Sequence, residues 1–516
     1  MPGVAEGLGR NGAGAKRRRS EAHAEPGFLL VTMGATPLPP NPSPEGGFAG
    51  LLFATLVFGV ALFTACAADA PALRSTPPSA AQSGAPSSPP APAFASEARG
   101  AARHPQSPAA AHRPPEDCNV VLISIDSLRA DMPWSGYPRP IAPHLTRLEA
   151  SAVSYTQAYA VSSYTSTSLG GLLAGRLPSE LNRSGYFFGT YKNDVFFPQL
   201  LRRAGIRTMG VMAHMYFGNA GFDAGFDAWK LVPGLTWDPN TDRDITSPQS
   251  ERIAEQVLGD AANDSGRFFF WVHFMDPHDQ YMRHPGIDWG KRTRDYYDGE
   301  VTFTDEYVGR LLEFIGGRSW AARTVIIVTS DHGEEFGEHM MRHGFEVWQA
   351  LVRVPLFVVA PGAAPRRIHA TRSAIDIAPT IVDLFGVESD APMDGKSLVS
   401  EIYGGPSEDR DVIVDLPLTS DSARRRALIH GTDKLICFDD DTFCKLFDLA
   451  KDPLEKSPIL NGPAYLAMRA RYEAAAMSIQ EVTPYACTAE CLNSGYRKQQ
   501  SMPAGPPAAP DAGQRR

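Results

Sequence analysis

The sequence predicts an α/β domain with a mostly parallel central sheet and helices on both faces. Three observations carry this. Continuous apolar runs of strand length recur along the body, the first being Asn119-Val-Val-Leu-Ile-Ser-Ile125. Runs of that kind mark strands buried on both faces. Helix-length segments alternate with them, as a parallel sheet requires. Aspartate and histidine residues stand directly after several runs, on the rim where open α/β sheets bind ligands.

Taken in order, the chain begins with a region (1–46) that carries the basic group Lys16-Arg-Arg-Arg19 and a second Met at position 33. The stretch from Gly47 to Ala68 is apolar and uncharged. It is long enough to span a bilayer, which needs about 20 residues, and it ends in small residues and Cys66. It is read as a signal peptide or a membrane anchor. Phe63-Thr-Ala-Cys66 resembles a bacterial lipoprotein box, so lipid on Cys66 and a single-pass helix are both open. Either reading places the body in the cell envelope, outside the cytoplasm and tethered to the membrane. Residues 69–116 are rich in Pro, Ala and Ser; with nothing to build a core they form a tether.

The body's strands are expected at Asn119–Ile125, Thr208–Met212, Phe268–Phe274, Thr324–Ser330 and Pro355–Ala360. Its helices are expected at Pro143–Ala152, Phe196–Ala204, Ser250–Ala262 and Tyr296–Ile315. In the last, Val301, Val308, Leu312 and Ile315 share one face. With 516 residues, 43% apolar and 21% charged, there is material for a large core. The net charge of −9 argues against nucleic acid as a partner. Two close cysteine pairs, Cys437/Cys444 and Cys487/Cys491, suit disulfides in an oxidising compartment. The first would staple a hairpin with Asp439-Asp440-Asp441 at its turn. Their spacings match no common zinc pattern.

The chemistry centres on Val161-Ser-Ser-Tyr-Thr-Ser-Thr-Ser-Leu-Gly-Gly-Leu-Leu-Ala-Gly-Arg176, where six hydroxyls precede a small apolar helix. Read alone, this is a capped helix whose N-terminus would also favour an anion. Strand ends supply what it lacks. Asp126 follows the first strand, His273, Asp276 and His278 follow another, and Asp331-His332 follows a third. Asp126, Asp331 and His332 suit one divalent cation, Ca²⁺, Mg²⁺ or Mn²⁺. Thr165 is then a candidate nucleophile whose oxygen also touches the metal, and His278 or His343 a candidate general acid. His273 is read as a packed strand histidine.

These motifs resemble the sulfatase family of the alkaline phosphatase superfamily. Val120-Val-Leu-Ile-Ser-Ile-Asp-Ser-Leu-Arg-Ala-Asp131 is similar to its opening strand, and Ser162 to Pro178 to its nucleophile helix. Trp271-Val-His-Phe-Met-Asp-Pro-His278 and Thr329-Ser-Asp-His-Gly-Glu-Glu-Phe-Gly-Glu-His339 resemble two further blocks. Lys434-Leu-Ile436 and Leu446 to Pro453 resemble its C-terminal part. The resemblance implies an alkaline-phosphatase-like catalytic domain over 117–400, a small C-terminal α+β subdomain over 401–495, and a tail at 496–516. It implies metal ligands at Asp126, Thr165, Asp331 and His332, catalytic roles for Thr165 and His278, and substrate contacts at His343, His214 and Ser168.

The chain departs from that pattern in ways that bear on chemistry. The residue that matures to formylglycine in the family is here Thr165, whose extra methyl forbids that maturation. Thr167 and Leu169 replace the Pro and Arg of the C-x-P-S-R pattern, and Ser127 replaces a second Asp. These changes tilt the expected substrate from sulfate toward phosphate, with a phosphothreonine intermediate. The expected function is an extracytoplasmic metal-dependent hydrolase of an anionic phosphate or sulfate ester. The alternatives are a transferase of a phospho-headgroup onto an envelope glycan or lipid, and a non-catalytic tethered envelope protein.

Overall fold

The run Asn119–Ile125 forms β1, and all seven of its residues are buried. A strand with no polar face is stable only where both sides are covered, so β1 belongs at the centre of a sheet. The structure, a computed structural model, describes residues 114–486 apart from 187–188, 237–242 and 421. The expected N-terminal region, the apolar 47–68 segment with Cys66, nearly all of the tether, the Cys487/Cys491 pair and the tail lie outside the described residues. No helix among the described residues is long and apolar enough to cross a membrane.

After β1 come β2 (Val153–Tyr155), β3 (Ala158–Tyr159), β4 (Arg207–Met212), β5 (Ala228–Leu231), β6 (Phe268–Phe274) and β7 (Thr324–Ser330). Next are β8 (Arg353–Val354), β9 (Leu356–Val359), β10 (Arg366–Ile368) and β11 (Arg372–Ser373). The helices of this part are α1 (Pro143–Ala150), α2 (Thr165–Ala174), α3 (Phe197–Arg203), α4 (Ser247–Leu258) and α5 (Thr293–Gly316). They continue with α6 (Gln349–Val352), α7 (Ile377–Leu384) and α8 (Val399–Ile402). The main sheet has the order β10-β2-β9-β7-β1-β6-β4-β5, and β11-β3-β8 form a small second sheet. Five neighbouring strands, β7-β1-β6-β4-β5, are all parallel.

The alternation of β1 divides the core. Val120 and Leu122 pack with Leu169, Leu172 and Leu173 of α2 and with α7 on one face. Val121, Ile123 and Ile125 pack with Leu258 of α4 and with Val301 and Val308 of α5 on the other. Fully burying one such aliphatic side chain stabilises by about 1.5–3 kcal/mol, which is what holds the helices to both faces.

One strand runs against expectation. The apolar run near 355–360 is β9, and it lies antiparallel to both β7 and β2. Parallel pairing needs a crossover that carries the chain back along the sheet. Between β7 and β9 the only helix is the four-residue α6, so the chain re-enters from the end it left. Helix α4 also begins before the expected 250, because Asp276 accepts hydrogen bonds from the amides of Thr246 and Ser247 at 2.6 and 2.7 Å. Asp276, expected on the ligand-binding rim, is therefore a cap.

Beyond residue 411 the chain forms an antiparallel meander of β12 (Val412–Leu416), β13 (Arg425–His430), β14 (Asp433–Phe438) and β15 (Phe443–Asp448), followed by α9 (Pro463–Ala476). Met468 and Tyr472 of α9 cover one face against Leu428 and Leu435. The other face packs through Val414, Ala427 and Ile436 on Tyr159, Tyr164 and Trp348. Cys437 and Cys444 lie opposite each other on β14 and β15 and form the disulfide. Closing so short a loop removes chain entropy from the unfolded state, worth about 2 kcal/mol. Cys444→Ser should lower stability by that amount in denaturant unfolding. An unchanged midpoint would show that the bond constrains nothing.

Candidate active site

Helix α2 owes its position to its small residues. A Cβ at Gly170 would lie 2.2 Å from the Tyr191 ring, so only glycine lets that ring press on the helix. Its start is not a Ser or Thr cap: Tyr164 holds the cap position in an extended conformation, with no side-chain cap hydrogen bond, and Thr165 is the first helical residue. Burial then separates the six hydroxyls. Ser162, Ser163, Ser166, Thr167 and Ser168 are at most 2% exposed, while Thr165 is only partly buried. Of the six, Thr165 alone offers an oxygen to an incoming ligand, at a helix N-terminus that favours negative charge.

The register of the parallel strands brings the carboxylates together. Ile125 of β1 pairs with Ser330 of β7 and with Phe274 of β6, so Asp126 and Asp331 leave the sheet from one rung. The Thr165 hydroxyl donates to Asp126 Oδ2 at 3.2 Å and lies 3.1 Å from His332 Nε2. Asp331 Oδ1 accepts from the amides of Ser127 and His332 at 3.2 and 2.9 Å. Its Oδ2 is buried and accepts no hydrogen bond. Burial, reinforced by the charge of Asp126, pushes the Asp331 carboxyl well above the usual range. Burial also opposes ionisation of Asp126, but His278, a hydrogen bond from His273 and His332 hold it well below that range. Two adjoining carboxylates with an orphaned oxygen fit a hard divalent cation.

Hydrogen bonding sorts the histidines. His332 Nδ1 faces the Gly333 carbonyl at 2.9 Å, which places a proton there and leaves the Nε2 lone pair turned to Asp331 Oδ2, 3.3 Å away. His273, Asp126 and Asp331 also have donor atoms within 4.8 Å of one another. The partners of His273 argue for a different role. Ser124 Oγ accepts from the Trp271 indole at 2.8 Å, so its own proton can go to His273 Nδ1, also at 2.8 Å. That leaves Nε2–H aimed at Asp126 Oδ2 at 3.3 Å. His273 is buried in β6, as expected of a packed strand histidine, and beyond that its Nε2–H hydrogen-bonds the Asp126 carboxylate, whereas the Nε2 lone pair of His332 could serve a cation.

His278, His343 and His214 gather beside this group. The His278 ring lies 4.9 Å from that of His343, which lies 4.2 Å from that of His332. His278 Nδ1 faces the Asp279 carbonyl at 2.7 Å, and burial keeps its basicity below normal. His343 Nδ1 is 3.0 Å from Glu334 Oε2. Burial works against its protonation, but the Glu334 carboxylate outweighs that and raises its pKa. His214 accepts from the Tyr216 amide at 3.1 Å, and burial, then the charge of His278, lowers it to about 4.

Ser168, expected as a substrate contact, is a correction. It is wholly buried, and its hydroxyl donates to the Asp331 carbonyl at 2.6 Å. One turn below Thr165, it ties the helix to the Asp331 loop. Nothing in the sequence singles out Glu334 or Tyr281, which donates to Glu334 at 2.9 Å. The only signal was the Glu two residues after His332, which a turn after a strand does not distinguish from a solvated charge.

The environment of His332 has a consequence for stability. Burial, with His343 next, lowers it from 6.5 to about 3. Between those values the unfolded chain takes up a proton that the folded chain refuses, so stability falls as pH drops below about 6.5. After chelation of divalent ions, the melting temperature of His332→Asn should depend less on acid pH than that of the unaltered protein. Identical pH dependence would refute the burial argument.

A family model described as Sulfatase matches residues 118–387. A second, described as N-sulphoglucosamine sulphohydrolase, C-terminal, matches residues 337–481. The chain is 31% identical to a choline-sulfatase of Rhizobium meliloti over 177 residues, 34% of either protein, so it spans about a third of that relative's length. It is 23% identical to an ulvan-active sulfatase of Formosa agariphila, covering 70% of this chain and 80% of that protein. The phosphonate monoester hydrolase of Agrobacterium radiobacter shares the fold, with a TM-score of 0.58, 21% identity, and coverage of 70% of this chain and 95% of that one.

Proposed function

Because the chain belongs to the sulfatase family of ester hydrolases, we propose that it cleaves an anionic phosphorus ester with the Thr165 hydroxyl as nucleophile. The observation that carries this reading is the position of Thr165 Oγ1, between Asp126 Oδ2 and His332 Nε2 at 3.2 and 3.1 Å. Threonine cannot form the family's formylglycine, so its own oxygen must do the chemistry.

Asp126, Asp331 and His332, with Thr165, would hold one divalent cation. When bound, such a cation favours the ionised hydroxyl and offsets the negative charge of the ester. Thr165 would react in its ionised form, its hydroxyl proton having passed to solvent, and the freed lone pair on Oγ1 attacks phosphorus. A bond forms from Thr165 Oγ1 to phosphorus, and the bond to the leaving alkoxide breaks. The alkoxide takes a proton from an imidazole. His343 suits this better than the expected His278, because Glu334 favours its protonated form. Water then gives a proton to the same imidazole, now neutral, and attacks phosphorus; the bond to Thr165 Oγ1 breaks, which releases the acid and returns Thr165 to its ionised form. His214 and His278 would contact the ester oxygens. The disulfide supports an oxidising compartment outside the cytoplasm.

The test is a screen of the purified protein against p-nitrophenyl sulfate, p-nitrophenyl phosphate, bis(p-nitrophenyl) phosphate and a phenylphosphonate ester, each with Ca²⁺, Mg²⁺ and Mn²⁺. The expected result is faster turnover of phosphorus esters than of the sulfate. Sulfate as the fastest substrate would overturn the reading.

A further inference from the structure

We propose that Tyr485, at the end of an extended strap formed by residues 480–486, is a positioning residue for the nucleophile helix. The strap leaves α9 and returns to the catalytic domain beyond residue 481, where the second family match ends. The Gln480 amide donates to Glu180 at 2.9 Å, and the Val482 amide to the Ser179 carbonyl at 2.8 Å. The Tyr485 amide donates to the Arg183 carbonyl at 3.0 Å, and the Gly185 amide returns a bond to the Tyr485 carbonyl at 3.2 Å. This is a strand-like attachment, bridged at Ser184 and Tyr485.

The side chain of Tyr485 reaches further. Its hydroxyl donates to the Thr190 carbonyl at 2.8 Å and accepts from the Thr190 hydroxyl at 2.7 Å. Lys192 Nζ lies 4.4 Å from the ring centre, a cation over an aromatic face. The residues around Thr190 act directly on α2. The Gly189 amide donates to Ser166 Oγ at 3.2 Å, and the Tyr191 hydroxyl donates to the Ser166 carbonyl at 2.7 Å. Ser166 adjoins Thr165. Tyr485 therefore holds Thr190 by hydrogen bonds, and the two residues covalently joined to Thr190, Gly189 and Tyr191, hydrogen-bond the residue beside the reacting oxygen. Attaching the strap holds the loop, and the loop sets where Thr165 Oγ1 stands.

The kinetic arm of the test rests on Thr165 as nucleophile; the exchange arm does not. In the full-length protein, Tyr485→Phe removes one hydroxyl and leaves the ring on Lys192. Amide hydrogen exchange at Gly189 should quicken about threefold to tenfold, the worth of a lost hydrogen bond. The same variant should lose kcat by a similar factor, with KM and metal content unchanged, which a merely structural defect would not do. Thr190→Val, which keeps the Tyr485 bond to the carbonyl of residue 190, should lose no more than Tyr485→Phe, and the double variant should be no worse than Tyr485→Phe. Unchanged exchange at Gly189, or additive losses in the double variant, would overturn the proposal. If the unaltered protein cleaves none of the esters above, the functional reading fails, and exchange at Gly189 still decides the role of the strap.

Discussion

Thr165→Ala is expected to abolish turnover, with a loss on the order of 10⁴-fold or more, as when a covalent nucleophile is removed. The protein should remain folded. Thr165 is partly exposed, stands at the first helical position rather than the cap, and leaves the packing of α2 to buried neighbours. Its removal costs the bonds to Asp126 and His332, and both of those residues keep other partners. Thr165→Ser should retain part of the activity, since serine presents a hydroxyl from the same backbone position. Far-UV circular dichroism and a melting curve check the fold, and a steady-state assay with the best ester of the screen checks the rate. Undiminished turnover by the alanine variant would remove Thr165 from the mechanism and leave the buried hydroxyls without access to replace it.

Asp331→Asn has the second largest expected effect. The carboxylate offers Oδ2 to the site with no hydrogen bond to satisfy it. An amide halves the charge of the Asp126/Asp331 pair and can turn an N–H toward the place a cation would occupy. Divalent metal content after dialysis should fall severalfold or more, and activity with it. The chelated protein should respond in the opposite sense. Its Asp331 is destabilised by burial and by Asp126, so the neutral amide should melt at the same temperature or higher. Elemental analysis and thermal unfolding with and without chelator test both. Unchanged metal content would refute the ligand role, and a much lower melting temperature in chelator would mean that the carboxylate is needed for packing.

The difference between what could be read along the chain and what could not follows the range of the interactions. Asp126 and Asp331 stand next to apolar runs, and a parallel sheet places the ends of such runs on one edge. Their proximity is therefore legible in the sequence, as is the hairpin joined by Cys437 and Cys444. The role of His273 is not. It depends on Ser124 and Trp271, which sit on strands far apart in sequence and determine which imidazole nitrogen carries the proton. Ser168 looked like its neighbours because a run of hydroxyls has no local feature that separates one facing a cleft from one facing a carbonyl.

The amino-acid sequence by itself determined the α/β class, five apolar strands of the main sheet, and the family. Each of these is written in local period, composition or residue type. Tertiary structure alone decided that β9 runs antiparallel, that Thr165 is the accessible hydroxyl, that Glu334 backs His343, and that a C-terminal strap reaches the loop beside Ser166. Those are consequences of which distant backbones pair and which side chains lose water, and neither is encoded in any short stretch of the chain.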